Sequence, residues 1–165
     1  MFIALKVSVT NFIPLPIQVM DCHLKPIRAE CSSLMMGEMM VYQVLVVEDE
    51  PDLQIIYRDV LSREGFEVHL AGDGEAGLQR VKNEHFDLMV VDFLLPKMDG
   101  VELLEEVDKL GGRPVIFASA VMRDEVTIQH LKNMGVRWFL EKPFRLSALR
   151  TILAEARELL DKRAA

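Results

Sequence analysis

The run Leu88-Met89-Val90-Val91-Asp92 constrains the fold more than any other stretch: unbroken, apolar, rich in β-branched residues, too short for a helix, and ended by an acid. Such a run reads as a strand buried on both faces of a parallel sheet. Pro96 and Asp99-Gly100 force a loop behind it, so Asp92 stands at the carboxyl end of the strand. In open parallel sheets, ligands bind along that edge.

The rest of the chain repeats the theme. Tyr42-Gln43-Val44-Leu45-Val46-Val47 reads as an earlier buried strand, ending in Glu48, Asp49 and Glu50. Pro51 suits the first position of a helix in which Leu53, Ile56, Tyr57, Val60 and Leu61 share one face, until Gly65 stops it. Residues 67–71 form a further strand. Gly72-Asp73-Gly74 then turns into a helix with Ala76, Leu78 and Val81 inward and Phe86 as another inward candidate. Behind Asp92, Val101, Leu103, Leu104 and Val107 mark a helix closed by Gly111-Gly112. Residues 114–119 predict a fourth strand ending in the hydroxyl of Ser119. Asp124 then caps a helix carrying Val126, Ile128, Leu131 and Met134, closed by Gly135. Trp138-Phe139-Leu140-Glu141 predicts the fifth strand, ending at Lys142-Pro143. A last helix over roughly 145–162 turns Leu146, Leu149, Ile152, Leu153, Ala156 and Leu160 inward. Five alternations with short connections predict an α/β fold: a doubly wound, flavodoxin-like, five-stranded parallel sheet with five helices.

A length of 165 residues is one domain with about 40 residues over. Residues 41–165 carry the pattern; residues 1–40 read as an N-terminal extension. That extension holds three basic and three acidic side chains and six of the ten methionines. Lys6, Asn11, Pro14, Pro16 and Gln18 interrupt its apolar start, so neither a membrane span nor a signal peptide fits. The crowding of Met35, Met36, Met39 and Met40 raises the expectation of a natural start there, beside the alternative of a flexible arm. Cys22 and Cys31 are the only cysteines, which leaves the body without a disulfide and fits a reducing, cytoplasmic setting. Cys22-His23 with Cys31 lacks the fourth ligand and the spacing of a zinc site. A net charge of −7 with no clustered basic surface argues against nucleic acid.

Each notable polar group ends a strand at the same sheet edge: Glu48 and Asp49, Asp92, Ser119, Lys142. If the strand order is 2-1-3-4-5, the first and third strands flank the switch point and their acids converge. Three crowded carboxylates repel unless a cation joins them, and Mg²⁺, a hard ion with oxygen ligands, answers that need. The parts then suit phosphoryl acceptance. Asp92 attacks, a metal held by Asp49 with help from Glu48 clamps one oxygen, Lys142 a second, and the Ser119 hydroxyl a third.

These motifs together resemble the receiver domain of two-component response regulators: VLVVEDE at the first strand, VVDFLLPKMDG around the acceptor, FASA at the fourth and EKPF at the fifth. The resemblance spans about 42–163. It implies that Asp92 is the phosphoacceptor and that Asp49, Asp92 and the Leu94 backbone carbonyl ligate Mg²⁺, with Glu48 acting largely through water. It further implies that Ser119 is the switch hydroxyl, Lys142 pairs with the phosphate, Phe139 is the switch aromatic, and Lys142-Pro143 is cis. Glu48 stands where many relatives have Asp, and Ser119 replaces the commoner Thr. Leu94 and Val121, both apolar, flank the acceptor and the switch hydroxyl, which predicts slow self-dephosphorylation. Trp138, with Arg123, Gln129, Arg137 and Arg145, is a candidate output surface, packing of the Trp under a helix or under the N-terminal extension being the alternative.

The implied partners are a sensor histidine kinase or a histidine phosphotransfer protein and a downstream protein, with room for a phosphorylation-dependent homodimer. No direct nucleic-acid or membrane contact is expected. The chain is expected to be a stand-alone, chemotaxis-regulator-like receiver, catalysing only its own phosphotransfer and dephosphorylation and not a metabolic reaction. Two readings compete: a degenerate receiver serving as a phosphorylation-independent interaction or dimerisation module, and a haloacid-dehalogenase-type hydrolase. The hydrolase would need an Asp where Leu94 stands.

Overall fold

The computed structural model describes residues 40–120 and 125–165. The expectations for the N-terminal extension, Val121, Arg123 and the Asp124 cap lie outside them. Strands and helices alternate as β1 (Gln43–Val47), α1 (Pro51–Arg63), β2 (Glu67–Ala71), α2 (Gly74–Asn83), β3 (Leu88–Asp92), α3 (Gly100–Lys109), β4 (Val115–Ser119), α4 (Glu125–Asn133), β5 (Val136–Glu141) and α5 (Leu146–Ala164). The five strands form one parallel sheet in the order β2-β1-β3-β4-β5. Among the described residues no helix is long and apolar enough to cross a membrane.

Alternation along the buried strands divides the core in two. Leu45, Val47, Met89, Val91 and Phe117 pack under α2, α3 and α4 with Leu78, Leu103, Leu104 and Leu131. Val44, Val46, Leu88, Val90 and Ile116 pack on the other face under α1 and α5 with Tyr57, Leu61, Leu149 and Leu153. Helix ends are set locally. Gly65, at φ +82°, terminates α1 where a side chain would be strained. Asp99 opens α3 with a capping box: its carboxylate accepts from Val101 and Glu102 N–H, while the Glu102 carboxylate accepts from Asp99 N–H.

The structure corrects several details. β5 begins two residues earlier than expected, at Val136, because the β4–β5 register shifts there and Arg137 is looped past the pairing. Val126 is 80% exposed; it sits about 140° around α4 from buried Leu131, off the core face. Ile56 lies at the rim of the α1 stripe and Leu146 in the first turn of α5, past the end of β5, so both are exposed. Phe86 is buried from the loop after α2, not from the helix.

Candidate functional site

The order β2-β1-β3 places the ends of β1 and β3 side by side at the switch point. Glu48 follows Val47 and continues the ladder, its N–H donating to the Ala71 carbonyl at 3.1 Å. The Gln54 side chain, one turn into α1, donates to the Glu48 carbonyl at 2.6 Å. Asp92 is the last residue of β3, and its Oδ1 accepts the Phe93 N–H at 2.8 Å. Gly100 is needed behind it: a side chain there would run into the Asp92 carbonyl oxygen. Its N–H closes the loop onto the Phe93 carbonyl at 3.0 Å.

Glu48, Asp49 and Asp92 each bring a carboxylate oxygen within 4.8 Å of the others. Glu48 and Asp92 are buried, 1% and 7% exposed, while Asp49 is open to solvent at the mouth. Lys142 bridges the buried two, its Nζ 2.7 Å from Glu48 Oε2 and 3.0 Å from Asp92 Oδ2. Burial works against the charge of Lys142, but its hydrogen bonds to Glu48 and Asp92 win and raise its pKa. Glu48 moves the other way for an acid. Burial, joined by the Asp92 charge, outweighs the lysine and lifts its carboxyl above the usual range. A hard-oxygen donor set carrying more negative charge than one lysine offsets can hold a metal ion.

Ser119 ends β4, buried, and its carbonyl accepts the Lys142 N–H at 2.9 Å, tying the ends of β4 and β5. Lys142-Pro143 is cis. Leu94 lies in the loop just after Asp92 with its side chain 65% exposed. Phe139 is half-buried against the α2–α4 side of the core. Trp138 faces the opposite side, packs with the α1–α5 cluster, and donates its indole N–H to Glu155 at 2.9 Å. It does not join the site; packing, the alternative given for it above, describes its surroundings.

Sequence reasoning missed two contributors. Gln54 carried no signal for its bond to the Glu48 carbonyl. Lys97, at φ +69°, places its Nζ 2.6 Å from Asp73 Oδ2, pinning the loop after β3 to the cap of α2.

Fold and site together define a doubly wound α/β domain whose switch-point acids, bridged by a lysine, can hold a cation beside a strand-end aspartate. The sequence profile of the response regulator receiver domain matches residues 44–154. The chain therefore belongs to the response regulator receiver family. It is 30% identical over 123 residues to the probable C4-dicarboxylate response regulator DctR of Bacillus subtilis, covering 73% of this chain and 54% of that protein. To the transcriptional activator protein PfeR of Pseudomonas aeruginosa it is 36% identical over 107 residues, 65% of this chain and 35% of that one. The chain thus spans between about a third and about half of these curated relatives. Among solved structures, a CheY-like receiver domain from Methanospirillum hungatei superposes with a TM-score of 0.66 at 31% identity, over 76% of this chain and 98% of that one. The receiver domain of Francisella response regulator 1452 gives 0.65 at 29%, over 75% and 99%.

Proposed function

We propose that this domain accepts a phosphoryl group on Asp92 from a phosphohistidine donor, a sensor histidine kinase or a histidine phosphotransfer protein, and signals by altered protein binding in the cytoplasm. The observation that carries the reading is the Lys142 bridge between Glu48 and Asp92. It holds a cation against the nucleophile where phosphoryl charge has to be neutralised. The acid cluster suits Mg²⁺, held by Asp49, Asp92 and the Leu94 carbonyl with Glu48 acting largely through water; when bound, the ion supplies positive charge for a phosphoryl oxygen.

In the transfer, an Asp92 carboxylate oxygen forms a bond to phosphorus. The donor's P–N bond breaks, and its electron pair returns to the imidazole nitrogen. Lys142 turns from the carboxylates to one phosphoryl oxygen, and the Ser119 hydroxyl donates to another. Because the Lys142 N–H is bonded to the Ser119 carbonyl, those two groups act on one strand-end unit. On this reading Phe139, three residues before Lys142, changes position with that unit and carries the signal outward; its half-burial supports the reading. The domain on this reading catalyses only its own phosphotransfer and dephosphorylation. The test is incorporation from acetyl phosphate with Mg²⁺, read by intact mass: one phosphoryl group on the wild type and none on Asp92→Asn. An unlabelled wild type would leave a phosphorylation-independent binding module in its place.

A further inference from the structure

β1 ends at Val47, so the sheet ladder only half determines the backbone of Glu48, the first acid of the cluster. Its N–H is still held, donating to the Ala71 carbonyl at 3.1 Å. Continued by one step, the parallel β1–β2 register sets Gly72 opposite Glu48, and the next donor, to the Glu48 carbonyl, would be the N–H of Asp73. Asp73 has instead left the strand to cap α2. The side-chain amide of Gln54 takes that place, donating to the Glu48 carbonyl at 2.6 Å. A Cβ on Gly72 would lie 3.8 Å from the amide nitrogen, so the amide sits between the two strand ends. Gln54 is itself fixed, because its backbone N–H makes the first helical bond of α1, to the Glu50 carbonyl at 3.0 Å.

The Glu48 carbonyl and the Asp49 N–H belong to one planar peptide group. That plane governs how two neighbouring acids are aimed. Glu48 turns inward and is buried, Asp49 opens to the mouth, and yet both keep a carboxylate oxygen within 4.8 Å of each other and of Asp92. Like charges so close repel, and Lys142 offsets that repulsion by bridging Glu48 and Asp92. We infer that Gln54 is a positioning residue for the cation site: its amide fixes the Glu48–Asp49 peptide, so that the acids stand gathered before a divalent ion arrives. The inference rests on the cluster taking Mg²⁺, as proposed above. With the amide gone, the peptide turns more freely and the Asp49 carboxylate can swing away from the other two. Binding then has to order what Gln54 had already ordered, and affinity falls. Gln54 does this without touching the ion or the phosphoryl group.

The test is calorimetric titration of the full chain with MgCl₂, well below its unfolding temperature. Gln54→Met keeps the length and the helix preference of the side chain and removes the donor. Gln54→Asn keeps the amide and shortens its reach. Both are expected to bind Mg²⁺ about fivefold more weakly than the wild type, the worth of one neutral hydrogen bond. A role in folding stability alone would not move an affinity measured on folded protein. The second readout is the NMR order parameter of the Asp49 amide in EDTA, expected to be lower in both variants because that N–H belongs to the held peptide. Unchanged Mg²⁺ affinity would overturn the inference, and so would a weakened affinity with an unchanged Asp49 order parameter; either result leaves the acceptor reading standing. A wild type that does not bind Mg²⁺ would overturn the inference together with the metal assignment it rests on.

Discussion

Lys142 lies closer to Glu48, at 2.7 Å, than to Asp92, at 3.0 Å, so the cation of the pocket is shared between two buried acids of the cluster. A divalent ion entering the cluster meets that positive charge at short range. Lys142→Met is therefore expected to bind Mg²⁺ about tenfold more tightly than the wild type, since a repelling charge is removed. Asp49→Asn is expected to bind it more weakly. Isothermal titration calorimetry with MgCl₂ reads both, and a Lys142→Met protein with unchanged affinity would contradict the shared-cation geometry.

Glu48 gives the metal-free protein a pH dependence. Its folded pKa is raised above the unfolded value, chiefly by burial, so across the interval between the two the folded state keeps a proton that the unfolded state has lost. Stability from this group therefore falls as pH climbs from about 4.3 through the raised folded value, and is level beyond it. In EDTA, Glu48→Gln should match the wild type at the acid end. Its thermal midpoint should exceed the wild type's by about 3 °C at neutral pH, where the buried charge is absent. Midpoints that run parallel across the range would count against a costly Glu48 charge.

Leu94, whose side chain is exposed and apolar two residues after Asp92, offers an attacking water no side-chain hydrogen bond on the phosphoryl-acceptor reading. A slow loss of phosphate is expected from the wild type, and Leu94→Asn should shorten the lifetime of acetyl-phosphate-labelled protein several-fold. Intact mass followed over time after removal of the donor measures both rates.

Gly100 packs its Cα against the Asp92 carbonyl, where any side chain collides with backbone. Gly100→Ala is expected to lower stability by about 3 kcal/mol, by displacing the end of β3. It should lower labelling at Asp92 as well. Urea unfolding and acetyl-phosphate incorporation, measured on one preparation, check the pair of effects.

The fold was legible because β1, β3 and β4 lie in short, mainly apolar runs too brief for a helix, and the stripes of α1, α3 and α4 are stopped by Gly65, Gly111 and Gly135. The site was legible because Glu48, Asp92, Ser119 and Lys142 each end such a run. Other features depend on where single atoms land, which periodicity does not report. Gln54 is an ordinary helix residue until its amide meets the Glu48 carbonyl. Val126 shows a different limit of composition: it is apolar but out of phase with Leu131, so angle decides its side.

The 2.9 Å bond from the Lys142 N–H to the Ser119 carbonyl makes the alcohol and the amine two ends of a single yoke. Load applied to either is felt by both, so a ligand gripped by the two pulls on a coupled pair of β-chains and not on two independent side arms. On the phosphoryl-acceptor reading, whatever lies against the outer side of β5 would then sense the catch at the pocket as one displacement.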